Sequence, residues 1–142
     1  MTKESPTSRR VRVLIVDDDE AMRFMCRTVL EDAAGIGMVD ISEATGGEEA
    51  VAMLRRGPFD LILCDQRMSG MSGIEVLALC RTRYPDMIRI MMTGFGDPSL
   101  QHEAREKAAV HGFIEKPMDF DLLERALIEV VVDPYLAGVV EE

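Results

Sequence analysis

Four short apolar runs in this chain end in side chains that could do chemistry. Residues 11–16 lead into Asp17, Asp18 and Asp19, and residues 61–64 into Asp65. Residues 88–92 lead into Thr93, and Phe113-Ile114 leads through Glu115 to Lys116-Pro117. Carboxylates that meet repel one another unless a proton or a cation neutralises them. Hard divalent ions take such oxygen ligands, and a lysine beside them balances the charge. The acidic turn after the first run also excludes something. A dinucleotide site needs glycines there so that backbone N–H groups can reach a pyrophosphate. Three aspartates repel phosphate unless a cation intervenes, and Gly94-Phe95-Gly96 is too weak a glycine signal to reverse this.

The rest of the chain supplies elements that could hold these groups in place. Residues 11–16 are short, β-branched and almost wholly apolar, like a strand buried on both faces. Residues 20–34 carry Met22, Cys26, Val29, Leu30 and Ala33 at helical spacing, and Gly35 closes them. A second strand is expected over 38–42, with Val39 and Ile41 on one face, then a helix over 47–56 ended by Gly57-Pro58. Residues 61–64 form the third strand. Ser72 and Glu75 make a capping box for a helix that turns Val76, Leu77 and Cys80 inward and stops at Pro85. The fourth strand is 88–92, a polar helix follows over 100–110, and 113–114 is a short fifth strand. Asp119 caps a last helix striped with Leu123, Ala126, Leu127, Val130 and Val131.

Strand and helix thus alternate five times, which implies a doubly wound α/β fold with a five-stranded parallel sheet. Ligands in such sheets bind beyond the carboxyl ends of the strands. Four of the five strand ends carry polar groups there, so these converge on one rim. The expected organisation is a flexible arm over 1–10, one domain over 11–132, and a tail or linker stub over 133–142 that begins its break at Pro134.

With 142 residues, 47% of them hydrophobic, the chain is long enough for one domain with a real core. Sixteen basic residues against 26 acidic ones give a net charge of −10, which argues against gripping nucleic acid through its phosphates and against a polybasic membrane anchor. No apolar run approaches the ~20 residues a spanning helix needs. The first ten residues have no apolar signal-peptide segment. Cys26, Cys64 and Cys80 are odd in number and not at metal-ligand spacing, so reduced, buried thiols in the cytoplasm are expected. His102 and His111 lack ligand spacing and read as structural or solvated, and the eleven methionines read as core filling.

Taken in order, Val16-Asp17-Asp18, Cys64-Asp65 with Met68 and Gly70, Met92-Thr93-Gly94, and Phe113-Ile114-Glu115-Lys116-Pro117 resemble the receiver domain of two-component response regulators. The likeness covers about residues 11–132. It implies a flavodoxin-like (βα)5 fold with strand order 2-1-3-4-5. It implies a phosphoryl-accepting signalling module rather than an enzyme. By this resemblance Asp65 is the phosphoryl acceptor. Mg²⁺ (or Mn²⁺) is held by Asp18, Asp65 and the backbone carbonyl of Arg67, with Asp17 acting through water. Thr93, Gly94 and Lys116 contact the bound phosphoryl group, and the bond before Pro117 is cis. Thr93 and Phe113 couple the site to a surface made by the fourth helix, fifth strand and fifth helix. That surface is read by a second copy of the chain or by a partner protein. The donor is a sensor histidine kinase or a histidine phosphotransfer protein. Asp19 is assigned only a capping role.

Three departures from the family pattern stand out. Ser69 replaces the usual proline, which loosens the loop after Asp65. Arg67 and Phe95, each two residues past a site residue, are bulky enough to shield the phosphorus and prolong the phosphorylated state. Residues 108–112 depart from the usual Ala-Gly-Ala pattern. Two rivals remain. A Mg²⁺-dependent phosphohydrolase would use Asp17 as nucleophile and Asp19 as acid, but it leaves Asp65 without a role and has no insertion to enclose a substrate. A pseudo-receiver that only binds partners leaves the full set of polar groups unexplained.

Overall fold

Val11–Val16 (β1) lies inside the sheet, between two other strands, because both of its faces are apolar. Along it, Val13 and Ile15 enter one core while Leu14 and Val16 enter another. That period of two recurs in Leu61–Asp65 (β3) and Ile88–Thr93 (β4), where Leu63 and Met92 face one layer and Cys64 and Met91 the other. With Val39–Ala44 (β2) and Gly112–Glu115 (β5) the strands pair in parallel, in the order β2-β1-β3-β4-β5. The computed structural model describes residues 10–34, 37–94, 98–116 and 120–136.

Glu20–Ala34 (α1) and Phe120–Leu127 (α5) cover the first face. They press Met22, Cys26, Val29, Leu30, Leu123 and Leu127 onto it. Gly47–Arg56 (α2), Gly73–Arg83 (α3) and Pro98–Ala108 (α4) cover the second. The capping box of α3 is present, with Glu75 N donating to Ser72 Oγ at 3.3 Å and Ser72 N donating to Glu75 Oε1 at 2.8 Å. Asp19 caps α1, as expected, by accepting the Ala21 N–H at 3.0 Å. Cys26, Cys64 and Cys80 are free and buried, and burial pushes the Cys26 thiol up to about 12.

Several boundaries differ from the sequence expectation. β2 continues two residues past Ser42, since Glu43 and Ala44 pair with Ile15 and Val16. Glu43 tolerates that place because Arg23 and Arg27 of α1 bind it, at 3.0 and 2.8 Å. α4 lies at 98–108 rather than 100–110. It ends where Ala109 takes φ +47, a left-handed turn that usually goes to glycine. The α5 winding widens into a π-helical segment at Ile128–Leu136, which takes in Pro134 instead of stopping before it. Asp119, expected to cap α5, and Gly35, expected to close α1, lie outside the described residues. Among the described residues, no helix is long and apolar enough to cross a membrane.

Candidate functional site

Strand order puts β1 beside β3, so Asp17 and Asp65 arrive at one edge as neighbours. Carboxylate oxygens of Asp17, Asp18 and Asp65 lie within 4.8 Å of one another. Asp17 is wholly buried and Asp65 is 3% exposed, while Asp18 is open to solvent. Thr93 ends β4 on the same rim, also buried. One backbone bond then fixes the fifth strand end, where Lys116 N donates to Thr93 O at 2.6 Å. It directs the lysine back over the carboxylates. Its Nζ lies 2.9 Å from Asp17 Oδ2 and 3.3 Å from Asp65 Oδ1.

The electrostatics follow from this crowding. Burial raises the Asp65 pKa above its ordinary value and the Asp17 charge raises it further. Lys116 and the Arg67 backbone N–H offset part of that rise. Burial works against the Lys116 ammonium, but Asp17 and Asp65 outweigh it and hold the Lys116 pKa above the usual lysine value. Two acids thus share one cation, with a third acid at the mouth.

The oxygens also show what the site could hold. Asp17 Oδ1 accepts the Asp19 N–H at 2.9 Å and is satisfied. Asp17 Oδ2 is buried, and among the described residues its only partner is Lys116 in an ion pair, with no aligned hydrogen-bond donor. A buried carboxylate oxygen with spare lone pairs, next to two further carboxylates, suits a hard divalent cation with oxygen ligands. The residues present fit Mg²⁺ or Mn²⁺ on that ground.

Other groups hold the site in shape and carry no motif signal. Arg23 donates to the Asp17 carbonyl at 2.8 Å while it pairs with Glu43, so α1 grips the acidic turn from below. Gln66 accepts the Gly73 N–H on its carbonyl at 3.1 Å and the Ile74 N–H on its side chain at 2.9 Å. The start of α3 is thereby tied to the end of β3. The approach is so close that a Cβ on Gly73 would lie 2.4 Å from the Asp65 carbonyl oxygen. A small residue after a helix cap was the only hint in the sequence.

Of the remaining predicted site residues, Gly94 stands exposed just past Thr93 and Arg67 is exposed just past Asp65. Phe113 is half-buried, with Arg105 of α4 over its ring. Pro117, with its expected cis bond, and Phe95, with its expected shielding role, lie outside the described residues. His111 proves structural, since its Nδ1 accepts the Arg89 N–H at 2.9 Å. His102 is exposed.

A parallel 2-1-3-4-5 sheet with an acidic trio and a lysine at its carboxyl rim defines a flavodoxin-like receiver module. Residues 13–128 match the response regulator receiver domain family, and the chain belongs to it. It is 33% identical over 111 residues to the hydrogenase transcriptional regulatory protein HoxA of Cupriavidus necator, covering 78% of this chain and 22% of that protein. It is 31% identical over 122 residues to the chemotaxis protein CheY of Pseudomonas aeruginosa, covering 84% of this chain and 95% of that one. The chain spans about a quarter of the length of the first curated relatives it matches. Among solved structures it is similar to the response regulator TrrA of Thermotoga maritima in complex with Mg²⁺-BeF. That likeness has a TM-score of 0.69 and 27% identity, over 85% of this chain and 99% of that one.

Proposed function

We propose that this receiver accepts a phosphoryl group on Asp65 and uses it to switch its α4–β5–α5 face. The observation that carries the reading is the Asp65 carboxylate itself. It is nearly buried, clustered with Asp17 and Asp18, and 3.3 Å from the Lys116 ammonium. A carboxylate whose pKa is raised is a better nucleophile, and Lys116 stands ready to pair with incoming negative charge.

An Asp65 oxygen bonds to phosphorus as the P–N bond to a donor histidine breaks. The electron pair leaves with the imidazole, which then takes up a proton from solvent. Mg²⁺ (or Mn²⁺), held by Asp17, Asp18, Asp65 and the Arg67 carbonyl, would offset the charge on the transferring group. Lys116 exchanges part of its ion pair with the carboxylates for the new phosphoryl oxygens. The Thr93 hydroxyl and the Gly94 N–H donate to the same oxygens. Thr93 moving inward opens space that the half-buried Phe113 ring follows, and α4 registers the change. Phosphorylation then shifts a two-state equilibrium rather than building a new fold.

The donor is a sensor histidine kinase or a histidine phosphotransfer protein. Phe24 on α1 is 64% exposed, and Phe120 and Leu122 are exposed at the start of α5. Large apolar side chains on elements that begin at the acidic rim favour a protein partner docking there. The net charge of −10 opposes direct nucleic-acid binding by these residues. Three buried free thiols suit a reducing compartment such as the cytoplasm. A phosphohydrolase using Asp17 is disfavoured, because that carboxylate is wholly buried.

Intact mass after incubation with acetyl phosphate tests the reading. One added phosphoryl group is expected with Mg²⁺, none without it, and none on Asp65→Asn. Equal labelling of the variant would remove Asp65 from the acceptor role. No labelling of folded wild-type protein by either acetyl phosphate or a phosphorylated kinase would leave a pseudo-receiver.

A further inference from the structure

α4 rests on the domain through a thin seam. Ala104 and Ala108 are its only buried residues. Arginines compensate for this. Arg81 of α3 donates to the Glu106 carbonyl at 2.9 Å. Arg89, 5% exposed on β4, donates to the carbonyls of Ala108 and Ala109 at 3.0–3.3 Å. Both of these hold backbone. The third arginine does something different. Arg105 reaches from α4 across to β5 and sets its guanidinium carbon 5.0 Å from the centroid of the Phe113 ring. That is within the ~6 Å at which a cation is attracted to an aromatic face. The neighbouring Lys107 instead pairs with Glu103 along the helix, at 3.0 Å.

We propose that Arg105 is the positioning residue of the switch, holding the Phe113 ring outward against α4 and weighting the equilibrium toward the unphosphorylated arrangement. The inference rests on the receiver function argued above and adds a residue to its regulation. The physical case is local. Phe113 can follow Thr93 inward only by leaving the guanidinium. The contact therefore exists in one state and not in the other, and only such a differential interaction moves an equilibrium. An exposed cation–π contact of about 0.5–1 kcal/mol corresponds to a two- to fivefold bias.

The test uses beryllofluoride with excess Mg²⁺ as a phosphoryl mimic, with affinity read by calorimetry. Arg105→Met keeps the apolar stem and removes the cation. It should bind beryllofluoride about two- to fivefold more tightly than wild type. Arg105→Lys, which keeps a cation, should stay near wild type, as should Lys107→Met on the adjacent turn. Affinity for Mg²⁺ alone should be the same in all four proteins, because the Arg105 contact is with Phe113, whereas Lys116 is the cation paired with the carboxylates. Wild-type binding with an equal or weaker Arg105→Met overturns this inference and leaves the receiver reading standing. Tightening by Lys107→Met to the same degree also overturns it, since the effect would then belong to α4 in general. No beryllofluoride binding by the wild type overturns both readings.

Discussion

The Lys116 ammonium stands 2.9 Å from the buried Oδ2 of Asp17. That pair decides how the site behaves when no divalent ion is present. Lys116 is the one cation placed between Asp17 and Asp65 among the described residues. Removing it leaves two buried carboxylates facing each other. Breaking a fully buried pair costs about 3–5 kcal/mol. Lys116 is 22% exposed in its side chain, so the expected loss for Lys116→Ala is smaller, roughly 1–3 kcal/mol in Mg²⁺-free buffer. The same deletion removes a competitor for the carboxylate oxygens. Mg²⁺ should then bind the variant more tightly and restore much of its stability. Thermal melts across a Mg²⁺ titration check both halves. A variant that is destabilised yet indifferent to Mg²⁺ would contradict the assignment of these acids as a metal site.

Gly73 gives a second prediction, because it brings α3 against the backbone of Asp65. A Cβ there would meet the Asp65 carbonyl oxygen at 2.4 Å and the Gln66 Cα at 2.8 Å. Both obstacles are backbone, so neither can swing aside. Gly73→Ala must push α3 away from β3 or shift the loop that carries Asp65. Alanine ordinarily favours a helix over glycine by about 1 kcal/mol. Here the sign should reverse, with a net loss of roughly 1–3 kcal/mol, as for other overpacked sites. Acetyl phosphate labelling of whatever remains folded should slow as well, because the acceptor moves with the loop. A Gly73→Ala protein as stable and as quickly labelled as wild type would show that the close approach constrains nothing.

Much of this was legible in the sequence, for a physical reason. Strands buried on both faces are written as almost wholly apolar runs, interrupted here only by Arg12 in β1 and Arg89 in β4, and each run stops at the rim. The residues after the runs therefore name the site: Asp17, Asp18, Asp65, Thr93 and Lys116. Helix α3 was equally plain, since Ser72 and Glu75 spell its cap. What stayed hidden depends on partners far away in the chain. Glu43 looks like a strand terminator until Arg23 and Arg27 arrive from α1 to bind it. Ala109 sits in the left-handed turn in place of glycine, and the buried Arg89, twenty residues earlier, fixes its carbonyl. Arg105 on the Phe113 face has no local signature either, because the helix spacing says only that it is exposed.

His111 supplies a prediction about pH. Its ring Nδ1 accepts the Arg89 backbone N–H at 2.9 Å, and the His111 backbone N–H donates to the Arg89 carbonyl at 2.8 Å, so it links β4 to the start of β5. Burial lowers its pKa and the nearby Arg89 charge lowers it further. A proton on Nδ1 would also collide with the N–H already pointing at it, so the protonated ring must give up this bond. The sign follows from the depressed value. The folded state binds the proton less readily than the unfolded chain, whose histidine titrates near ~6.5. The stabilising contribution is whole above that value and is lost as pH falls through the lower, folded one. The loss should be modest, since His111 is exposed and solvent screens its charge. In a His102→Gln background, where His111 is the sole remaining histidine, NMR should place its midpoint below ~6.5. Denaturant melts between about pH 7 and pH 5 should show a downward slope that His111→Ala removes. A midpoint at or above the ordinary histidine value, or a slope unchanged by His111→Ala, would mean that the Arg89 bond does not control the ring.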